Sequence, residues 1–223
     1  MTRRPAATGG RRPYRDRRDA GRELASLCAQ YSGRGDTVVL GLPRGGVPVA
    51  YEVAVALGVE LDVFMVRKLG VPGHEELAMG AVASGGVQVL NHDVLRGIDR
   101  GVVQAVAARE RRELDRREVV YRGSRPPLEL EHRTVLLVDD GLATGASMRA
   151  AVEAVRLHEP TEVIVAVPAA PHSTCDALQQ IADVVICAWS PSPFYAVGAA
   201  YDDFTQTTDD EVVALLRAAA GRP

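Results

Sequence analysis

The sequence predicts an α/β protein in which helices flank a mainly parallel central sheet, in three layers. Short apolar runs rich in β-branched residues alternate along the chain with segments of helical periodicity. Apolar runs of this kind are typical of strands covered on both faces, and strands that alternate with helices favour a parallel sheet. A chain of 223 residues is long enough for one domain with a substantial core.

Each predicted element follows from its periodicity and from the turn residues that flank it. Apolar residues three and four apart indicate helices, and β-branched runs bounded by glycine or proline indicate strands. The predicted helices cover residues 14–31, 47–57, 99–120, a segment that follows residue 147, 172–182 and 208–220. The predicted strands cover residues 37–40, 61–66, 77–83, 86–90, 135–138, 162–167 and 184–188.

The charge distribution predicts a basic tail ahead of the domain. The net charge is −3, yet residues 1–18 hold seven arginines and one aspartate among glycines and prolines. Such a composition is typical of disordered, solvated arms. We therefore expect a disordered tail over residues 1–18 and a single domain over residues 19–223. Contact of the tail with nucleic acid or with a partner subunit is an alternative, although runs of this kind usually serve only solvation.

Composition also bears on the compartment. No apolar run approaches the roughly 20 residues that span a bilayer, and the amino terminus lacks the apolar region of a signal peptide. We expect a cytoplasmic protein that does not enter a membrane. Its three cysteines are odd in number and lack the spacing of metal ligands, so we expect reduced thiols.

Residues 134–147 form the most informative stretch of the chain. Apolar residues predict a buried strand, Asp139 and Asp140 follow at its carboxyl end, and small and hydroxylated residues lead into a helix. The amides of such a loop and helix start can hold a phosphate. Paired carboxylates can accept hydrogen bonds from sugar hydroxyls or hold a divalent cation. A Walker A loop is excluded because no Gly-Lys-Ser or Gly-Lys-Thr occurs.

The other chemically suggestive segments are predicted at the same edge of the sheet. Ligands of parallel sheets bind beyond the carboxyl ends of the strands. In this sequence those ends are followed by residues 41–46, 67–68, 139–147 and 168–172.

The first of these segments has the composition of an anion-binding turn. Gly45 and Gly46 let backbone amides approach an anion closely. Arg44 can donate two hydrogen bonds to phosphate oxygens.

The stretch at 134–147 resembles the signature of the type I phosphoribosyltransferases, which is an apolar strand, two acids and a loop rich in threonine and glycine. Ala143 stands where the family often has threonine, and Ser147 keeps the hydroxyl of its last threonine. The resemblance implies the type I fold with a small hood, formed by about residues 70–90 and 189–206. It further implies that the acids bind the ribose hydroxyls of phosphoribosyl pyrophosphate (PRPP). The loop that would bind its 5-phosphate consists of Ala143, Thr144, Gly145, Ala146 and Ser147.

The same resemblance assigns a pyrophosphate site. Arg44, Gly45 and Gly46 correspond to the pyrophosphate loop of the family, and Arg67 with Lys68 to a basic position beside the pyrophosphate. Many relatives also bring a catalytic lysine or arginine on the hood. This chain departs from the pattern, because no lysine or arginine lies between residues 68 and 96.

An aromatic segment near the carboxyl terminus resembles the base site of purine-salvage relatives. Residues 189–204 hold five of the ten aromatic residues in the chain. By the family spacing, Phe194 or Tyr195 would stack on a base and Val197 would line the base site, while Asp202 would face the second magnesium ion. A hydrophobic plug over the end of the sheet is the alternative.

The resemblance implies a Mg²⁺-dependent enzyme that transfers the phosphoribosyl group of PRPP to a nitrogenous base or amine and releases pyrophosphate. It also implies a homodimer that works in nucleotide salvage. The alternative is a PRPP-binding regulatory protein without turnover that contacts nucleic acid through its arginine-rich tail. The expected catalytic residues are Asp139, Asp140, Lys68 and Arg44. The expected metal ligands are Asp139, Asp140 and Asp202.

Overall fold

The computed structural model describes residues 12–91, 93–123, 125–126 and 128–221. The first 11 residues of the tail predicted for residues 1–18 lie outside these ranges. The strands are β1 (Thr37–Gly41), β2 (Glu60–Val63), β3 (Val66–Val71), β4 (His74–Ala83), β5 (Val87–Leu90), β6 (Thr134–Val138), β7 (Glu162–Ala169) and β8 (Val184–Trp189). The helices are α1 (Arg17–Leu27), α2 (Gly46–Leu57), α3 (Arg100–Arg122), α4 (Ala146–Arg156), α5 (His172–Leu178) and α6 (Asp209–Ala220).

Five strands form a parallel central sheet in the order β2-β1-β6-β7-β8. Successive side chains of a strand point to opposite faces, so each buried strand contributes to two cores. Val39 and Leu136 pack with α1, α2 and α6 on one face. Leu40 and Leu137 pack with α4 and α5 on the other. The three-layer α/β arrangement expected from the sequence is therefore confirmed.

Three helix ends carry residue types that commonly cap helices. Asp16 accepts a hydrogen bond from the amide of Asp19 and so caps the start of α1. Thr208 does the same for α6 through the amide of Glu211. Gly58 ends α2 in the left-handed conformation, with φ of 65°.

A second, antiparallel sheet with the order β3-β4-β5 forms a small hood. The single strand predicted for residues 61–66 is wrong, because the chain leaves the central sheet after Val63 and joins the hood at Val66. The link is pinned at both ends. The amide of Phe64 donates to the carbonyl of Gly41, and the amide of Met65 donates to the hydroxyl of Ser84.

This change of sheet moves two expected site residues. Arg67 and Lys68 lie inside β3 of the hood rather than just beyond a strand of the central sheet. Neighbouring side chains in a strand point to opposite faces. Arg67 faces α3, where it donates to Glu110, whereas Lys68 is exposed.

The amino-terminal boundary expected from the sequence is also wrong. Residues 12–18, assigned to the tail, belong to the folded domain: Tyr14 is buried and forms a parallel bridge with Tyr201. The Tyr14 hydroxyl donates to the carbonyl of Pro168. The high arginine content of this segment predicted disorder. Its fold is instead set by pairing with residues far along the chain, which a local sequence pattern does not record.

The carboxyl-terminal segment at 189–206 packs mainly on this amino-terminal segment. Trp189, Phe194 and Val197 contact a small apolar cluster that includes Tyr14 and Tyr201. The amide of Asp202 donates to the carbonyl of Tyr14. In the parts of the chain that the structure describes, no helix has both the length and the apolar character needed to cross a membrane.

Candidate active site

The acid pair lies directly against the glycine turn that precedes α2. A Cβ atom on Gly45 would overlap Oδ2 of Asp140. A Cβ atom on Gly46 would lie 2.7 Å from the carbonyl oxygen of Val138 and 2.9 Å from Cα of Asp139. The turn after β1 and the acids after β6 thus meet at one edge of the sheet, as the parallel arrangement predicts.

The loop between the acids and α4 has an exposed tip and a buried base. Its backbone is anchored because the amide of Leu142 donates to the carbonyl of Ala169, and the hydroxyl of Thr174 donates to the carbonyl of Ala143. The residues that form its exposed surface are Ala143, Thr144, Ala146 and Ser147. The first turn of α4 begins at this surface, where backbone amides at a helix amino terminus can receive an anion.

Gly145 shapes this loop but does not face its open side. It has φ of 71°, and a Cβ atom there would lie 2.8 Å from Cγ2 of Thr174 on α5. A larger residue would therefore strain the loop from behind rather than fill the anion-binding surface.

A cavity of about 130 Å³ opens beside the acid pair. It lies between the Leu42–Pro43 turn, the link at Phe64–Met65, and α3, and its polar lining includes Arg67, Arg117, Asp139 and Ser147. Two arginines, an acid and a hydroxyl on one small cavity form a surface suited to a phosphorylated ligand.

Both arginines are oriented by acids on α3. Arg67 donates to Glu110, with Nε 2.9 Å from Oε2, and Arg117 donates to Glu113, with Nε 2.7 Å from Oε1. Burial raises the pKa of Glu110, but hydrogen bonds from Arg67 and Arg109 more than offset this, so that the pKa lies below its ordinary value. Glu110 is therefore a charged partner that fixes the guanidinium of Arg67.

Two of the expected cations do not line this cavity. Lys68 is exposed on the far face of β3. Arg44 points toward the start of α6, with Nη1 3.7 Å from Oδ1 of Asp209. The peptide bond between Pro43 and Arg44 is cis.

Among the described residues, Arg17 is the cation nearest to the acid pair, and sequence reasoning missed it. Its Nε lies 2.8 Å from Oδ2 of Asp140, and its Nη1 lies 2.7 Å from the carbonyl oxygen of Thr205. The guanidinium carbon sits 3.9 Å from the centroid of the Phe204 ring. The available signal was the helix pattern starting at Tyr14, which places Arg17 inside a helix rather than in a tail.

The acid pair is electrostatically costly in the folded state. Burial raises the pKa of Asp139 well above its ordinary value, and the charge of Asp140 adds to this effect. Burial also raises the pKa of Asp140, but the hydrogen bond and charge of Arg17 offset part of the rise. The hydroxyl of Tyr201 donates to the backbone carbonyl of Asp140 and fixes the main chain.

The aromatic segment reaches the site through Val197. A Cβ atom on Gly141 would lie 2.6 Å from Cγ1 of Val197, so this side chain contacts the start of the loop. Phe194 is half-buried in the cluster around Tyr14, whereas Tyr195 is 84% exposed. Of the aromatic pair, only Tyr195 is open enough to stack on a ligand in this conformation.

Asp202 is not grouped with the acid pair. Nowhere in the described ranges do three or more His, Cys, Asp or Glu side chains come together in a way that would hold a metal ion. Mg²⁺ usually takes one or two carboxylates together with substrate phosphates and water. Asp139 and the free oxygen of Asp140 fit that smaller donor set.

A larger cavity of about 970 Å³ lies at the opposite edge of the sheet. Its arginines already serve internal acceptors: Arg122 donates to Asp62, Arg133 to Glu60, and Arg125 to the carbonyl of Leu216. These bonds join α3, α6 and the strand ends, which indicates a structural role. Ligands of parallel sheets are expected at the other edge.

Comparison with known proteins agrees with this geometry. A family model described as "Phosphoribosyl transferase domain" matches residues 14–202. The chain belongs to the phosphoribosyltransferase family. The match begins at Tyr14, where the described fold also begins to pair with the carboxyl-terminal segment.

Individual relatives support the same conclusion. Two Mycobacterium tuberculosis proteins, Rv0571c and MT0597, are provisionally named phosphoribosyl transferases, and each is 50% identical over 205 residues. These residues make up 91% of this chain and 46% of each relative, so the chain spans about half the length of the curated relatives it matches. The crystal structure of the protein TT1426 from Thermus thermophilus is 48% identical, with a TM-score of 0.85. That match covers 94% of this chain and 100% of TT1426.

The type I phosphoribosyltransferase fold expected from the sequence is thereby confirmed, with its parallel sheet and antiparallel hood. The fold brings together most of the expected site, namely the glycine turn, the acid pair, the 143–147 loop, Arg67 and Val197. It leaves Lys68, Arg44 and Asp202 at its margins. It adds Arg17 and Arg117, whose positions depend on long-range packing. The roles of all these residues stay predictions.

The two glycines of the turn give a matched pair of substitutions. Gly45 has helical φ and ψ of −60° and −33°, so Gly45→Ala meets no backbone obstacle, but its Cβ atom displaces the carboxylate of Asp140 that Arg17 holds. We expect affinity for PRPP, the substrate typical of the family, to fall at least tenfold in calorimetry, with a smaller loss of Tm than in Gly46→Ala. Gly46→Ala meets backbone atoms and should cost about 2 kcal/mol of unfolding free energy. Equal effects of both variants on Tm would contradict this geometry.

The buried acids also predict an unusual dependence of stability on pH. Because the folded-state pKa of Asp139 is raised, stability is lost as pH rises through that pKa. Asp139→Asn keeps an oxygen for the Asp140 amide and removes the charge. We expect it to be more stable than the wild type by roughly 1 kcal/mol at pH 7.5, since an uncompensated buried group costs about that much. The gain should vanish below about pH 4, near the ordinary pKa of aspartate.

Unfolding in urea at a series of pH values measures this difference, with Asp203→Asn as the matched control. Hydrogen bonds from Thr205 lower the pKa of Asp203, so its charge contributes stability that is present at neutral pH and lost as pH falls. The two variants should therefore change stability in opposite directions at pH 7.5. A loss of stability in Asp139→Asn at that pH would overturn the electrostatic account.

Proposed function

We propose that this protein is a Mg²⁺-dependent enzyme that transfers the phosphoribosyl group of PRPP to a nitrogenous base or amine, with release of pyrophosphate. One observation carries the proposal. The glycine turn, the acid pair and the exposed loop before α4 meet at a single edge of the sheet, beside a small cavity with two arginines. A phosphorylated pentose with two charged ends needs these groups within one ligand length.

The proposed binding mode follows the chemistry of each group. The 5-phosphate would bind at the start of α4, where the exposed Thr144 and Ser147 add hydroxyl donors to the backbone amides. The ribose hydroxyls would donate to Asp139 and to the oxygen of Asp140 that Arg17 leaves free. The pyrophosphate would enter the cavity beside Arg67 and Arg117.

Mg²⁺ would be held by Asp139 and Asp140 together with oxygens of the substrate. When bound, the ion would neutralise negative charge on the pyrophosphate. The residues of the chain would do the remaining work. Arg67 and Arg117 would stabilise the charge that builds on the leaving pyrophosphate, and the acids would fix the ribose so that its C1 faces the acceptor.

The acceptor would approach from the side of the carboxyl-terminal segment. Val197 contacts the loop next to the acid pair, and the exposed Tyr195 offers an aromatic face. These groups suit a planar nitrogenous base. We include in the proposal a homodimer and a role in nucleotide salvage, which follow from the family resemblance, and a cytoplasmic location, which rests on the composition of the chain.

The second candidate is a PRPP-binding regulatory protein without turnover. It is favoured by the position of Lys68, which is exposed on the far side of the hood sheet and away from the cavity. In this version the basic residues that precede Tyr14 would contact nucleic acid. Removal of residues 1–11, with Tm as the check on folding, tests that contact, and unchanged, salt-sensitive nucleic-acid binding would exclude it.

Binding and turnover can be separated in one experiment. Wild-type protein is titrated with PRPP and Mg²⁺ by calorimetry and then incubated with a panel of bases and amines while released pyrophosphate is measured. We expect binding, release with at least one acceptor, and loss of both in the double variant Asp139→Asn with Asp140→Asn. Binding without release for the whole panel would favour the regulatory protein. Absence of PRPP binding by the wild type would refute both candidates.

The pyrophosphate cavity has its own test. Arg117 and Arg116 both donate to Glu113, but only Arg117 lines the cavity. Arg117→Gln should weaken pyrophosphate binding about tenfold, since a charge-assisted hydrogen bond contributes roughly 1.5 kcal/mol or more. Arg116→Gln should leave it within about twofold. Similar affinities of the two variants in calorimetry would remove Arg117 from the site.

A further inference from the structure

The amino-terminal segment is built into the active-site edge by main-chain pairing. The amide of Tyr14 donates to the carbonyl of Ala200, and the amides of Asp202 and Asp203 donate to the carbonyls of Tyr14 and Arg15. These bonds hold residues 14–15 beside residues 200–203 like a short pair of strands. The helix α1 begins two residues later, and its first residue is Arg17.

Arg17 joins the start of α1 to two other regions of the chain, the acid pair and residues 204–205. Its Nε donates to Oδ2 of Asp140 at 2.8 Å, and its Nη1 donates to the carbonyl of Thr205 at 2.7 Å. Its guanidinium covers the ring of Phe204, which in turn stacks on Tyr201. Only 11% of the Arg17 side chain is exposed, so the contact is enclosed and weakly screened by solvent.

The neighbouring Arg18 also forms an ion pair from α1, but at a distance from the acid pair. It donates to Glu52 on α2 at 2.6 Å, and half of its side chain is exposed. Both residues therefore tie α1 to another element through a carboxylate. They differ in that the acid held by Arg17 belongs to the proposed ribose site.

We propose that Arg17 is a positioning residue for PRPP, one that fixes Asp140 and closes residues 203–205 over the acid pair. This inference rests on the proposed function. The guanidinium binds one oxygen of Asp140 and so fixes the plane of the carboxylate. The other oxygen then has a fixed direction, and a ribose hydroxyl meets a preorganised acceptor. Asp16 and Asp19 lie beside Arg17 in sequence but serve as the cap and first turn of α1.

The sign of the effect follows from charge. PRPP is strongly anionic, and the side chains of Asp139 and Asp140 lie together where it would bind. Arg17 places a positive charge at hydrogen-bonding distance from Asp140 in a poorly solvated place, where charge interactions are strong. Without Arg17 the acids repel both each other and the incoming ligand, and Asp140 is free to rotate. Affinity for PRPP should therefore fall when Arg17 is replaced.

The experiment compares Arg17→Met, Arg17→Lys and Arg18→Met with the wild type. Methionine keeps an unbranched apolar stem, and lysine restores the charge and one hydrogen bond but not the bond to Thr205. Affinity for PRPP with Mg²⁺ is measured by calorimetry, and folding is followed through Tm. We expect Arg17→Met to lose at least tenfold in affinity and Arg17→Lys to recover part of it. Arg18→Met should bind as the wild type does, with a smaller change in Tm than Arg17→Met, because half of the Arg18 side chain is exposed.

Three results would overturn the inference. They are wild-type affinity in Arg17→Met, no recovery in Arg17→Lys, and a loss of affinity in Arg17→Met that matches the fraction of protein unfolded at the assay temperature. Failure of the proposed function looks different, because then the wild type itself does not bind PRPP. If the wild type binds and the double acid variant does not, unchanged affinity in Arg17→Met removes only the role given to Arg17.

Discussion

The close approach of a glycine turn to the end of a neighbouring strand is the constraint on which this structure depends. β1 and β6 pair in register, with Gly41 opposite Val138, so both strands end at the same level. The amide of Leu42 then donates to the carbonyl of Val138, and Gly46 packs on the backbone at Asp139. No side chain fits between them. The acid pair, the helix start at Gly46 and the cavity beyond Pro43 share one edge because these backbones touch.

That edge carries an electrostatic cost which distant parts of the chain offset. Burial and mutual repulsion disfavour two adjacent carboxylates, and the one strong cationic partner that the described residues provide for Asp140 comes from 123 residues earlier. The main chain at Asp140 is held by Tyr201, 61 residues later. The segments that supply Arg17 and Tyr201 are paired with each other through Tyr14. Order at the acid pair and order at both ends of the domain therefore depend on the same set of contacts.

The sequence predicted features that depend on local interactions and missed features that depend on contacts between distant parts of the chain. The strand ending in Asp139 and the helix closed by Gly58 follow from local pattern, because burial on both faces and a left-handed glycine leave direct traces in residue type. Arg67 and Lys68 were misplaced because the link at Phe64–Met65 changes sheets through bonds to Gly41 and Ser84, which no periodicity records. Arg17 was assigned to a tail by composition alone. The position of Arg17 depends on pairing between the two ends of the domain. Amino-acid composition carries no information about that pairing.

The lack of a lysine or arginine between residues 68 and 96 is a weaker argument against turnover once the cavity is known. A leaving pyrophosphate responds to where a cation is, and the element that carries the cation is irrelevant. Arg67 on the hood and Arg117 on α3 face the same small cavity as Asp139. Each is held by a glutamate of α3, yet a guanidinium has five donors, so one carboxylate does not exhaust it. The glutamates also weaken the pull of the arginines on a bound anion. A site whose cations are fixed but partly neutralised would bind pyrophosphate during transfer and still release it afterwards, which suits an enzyme better than a protein that only retains its ligand.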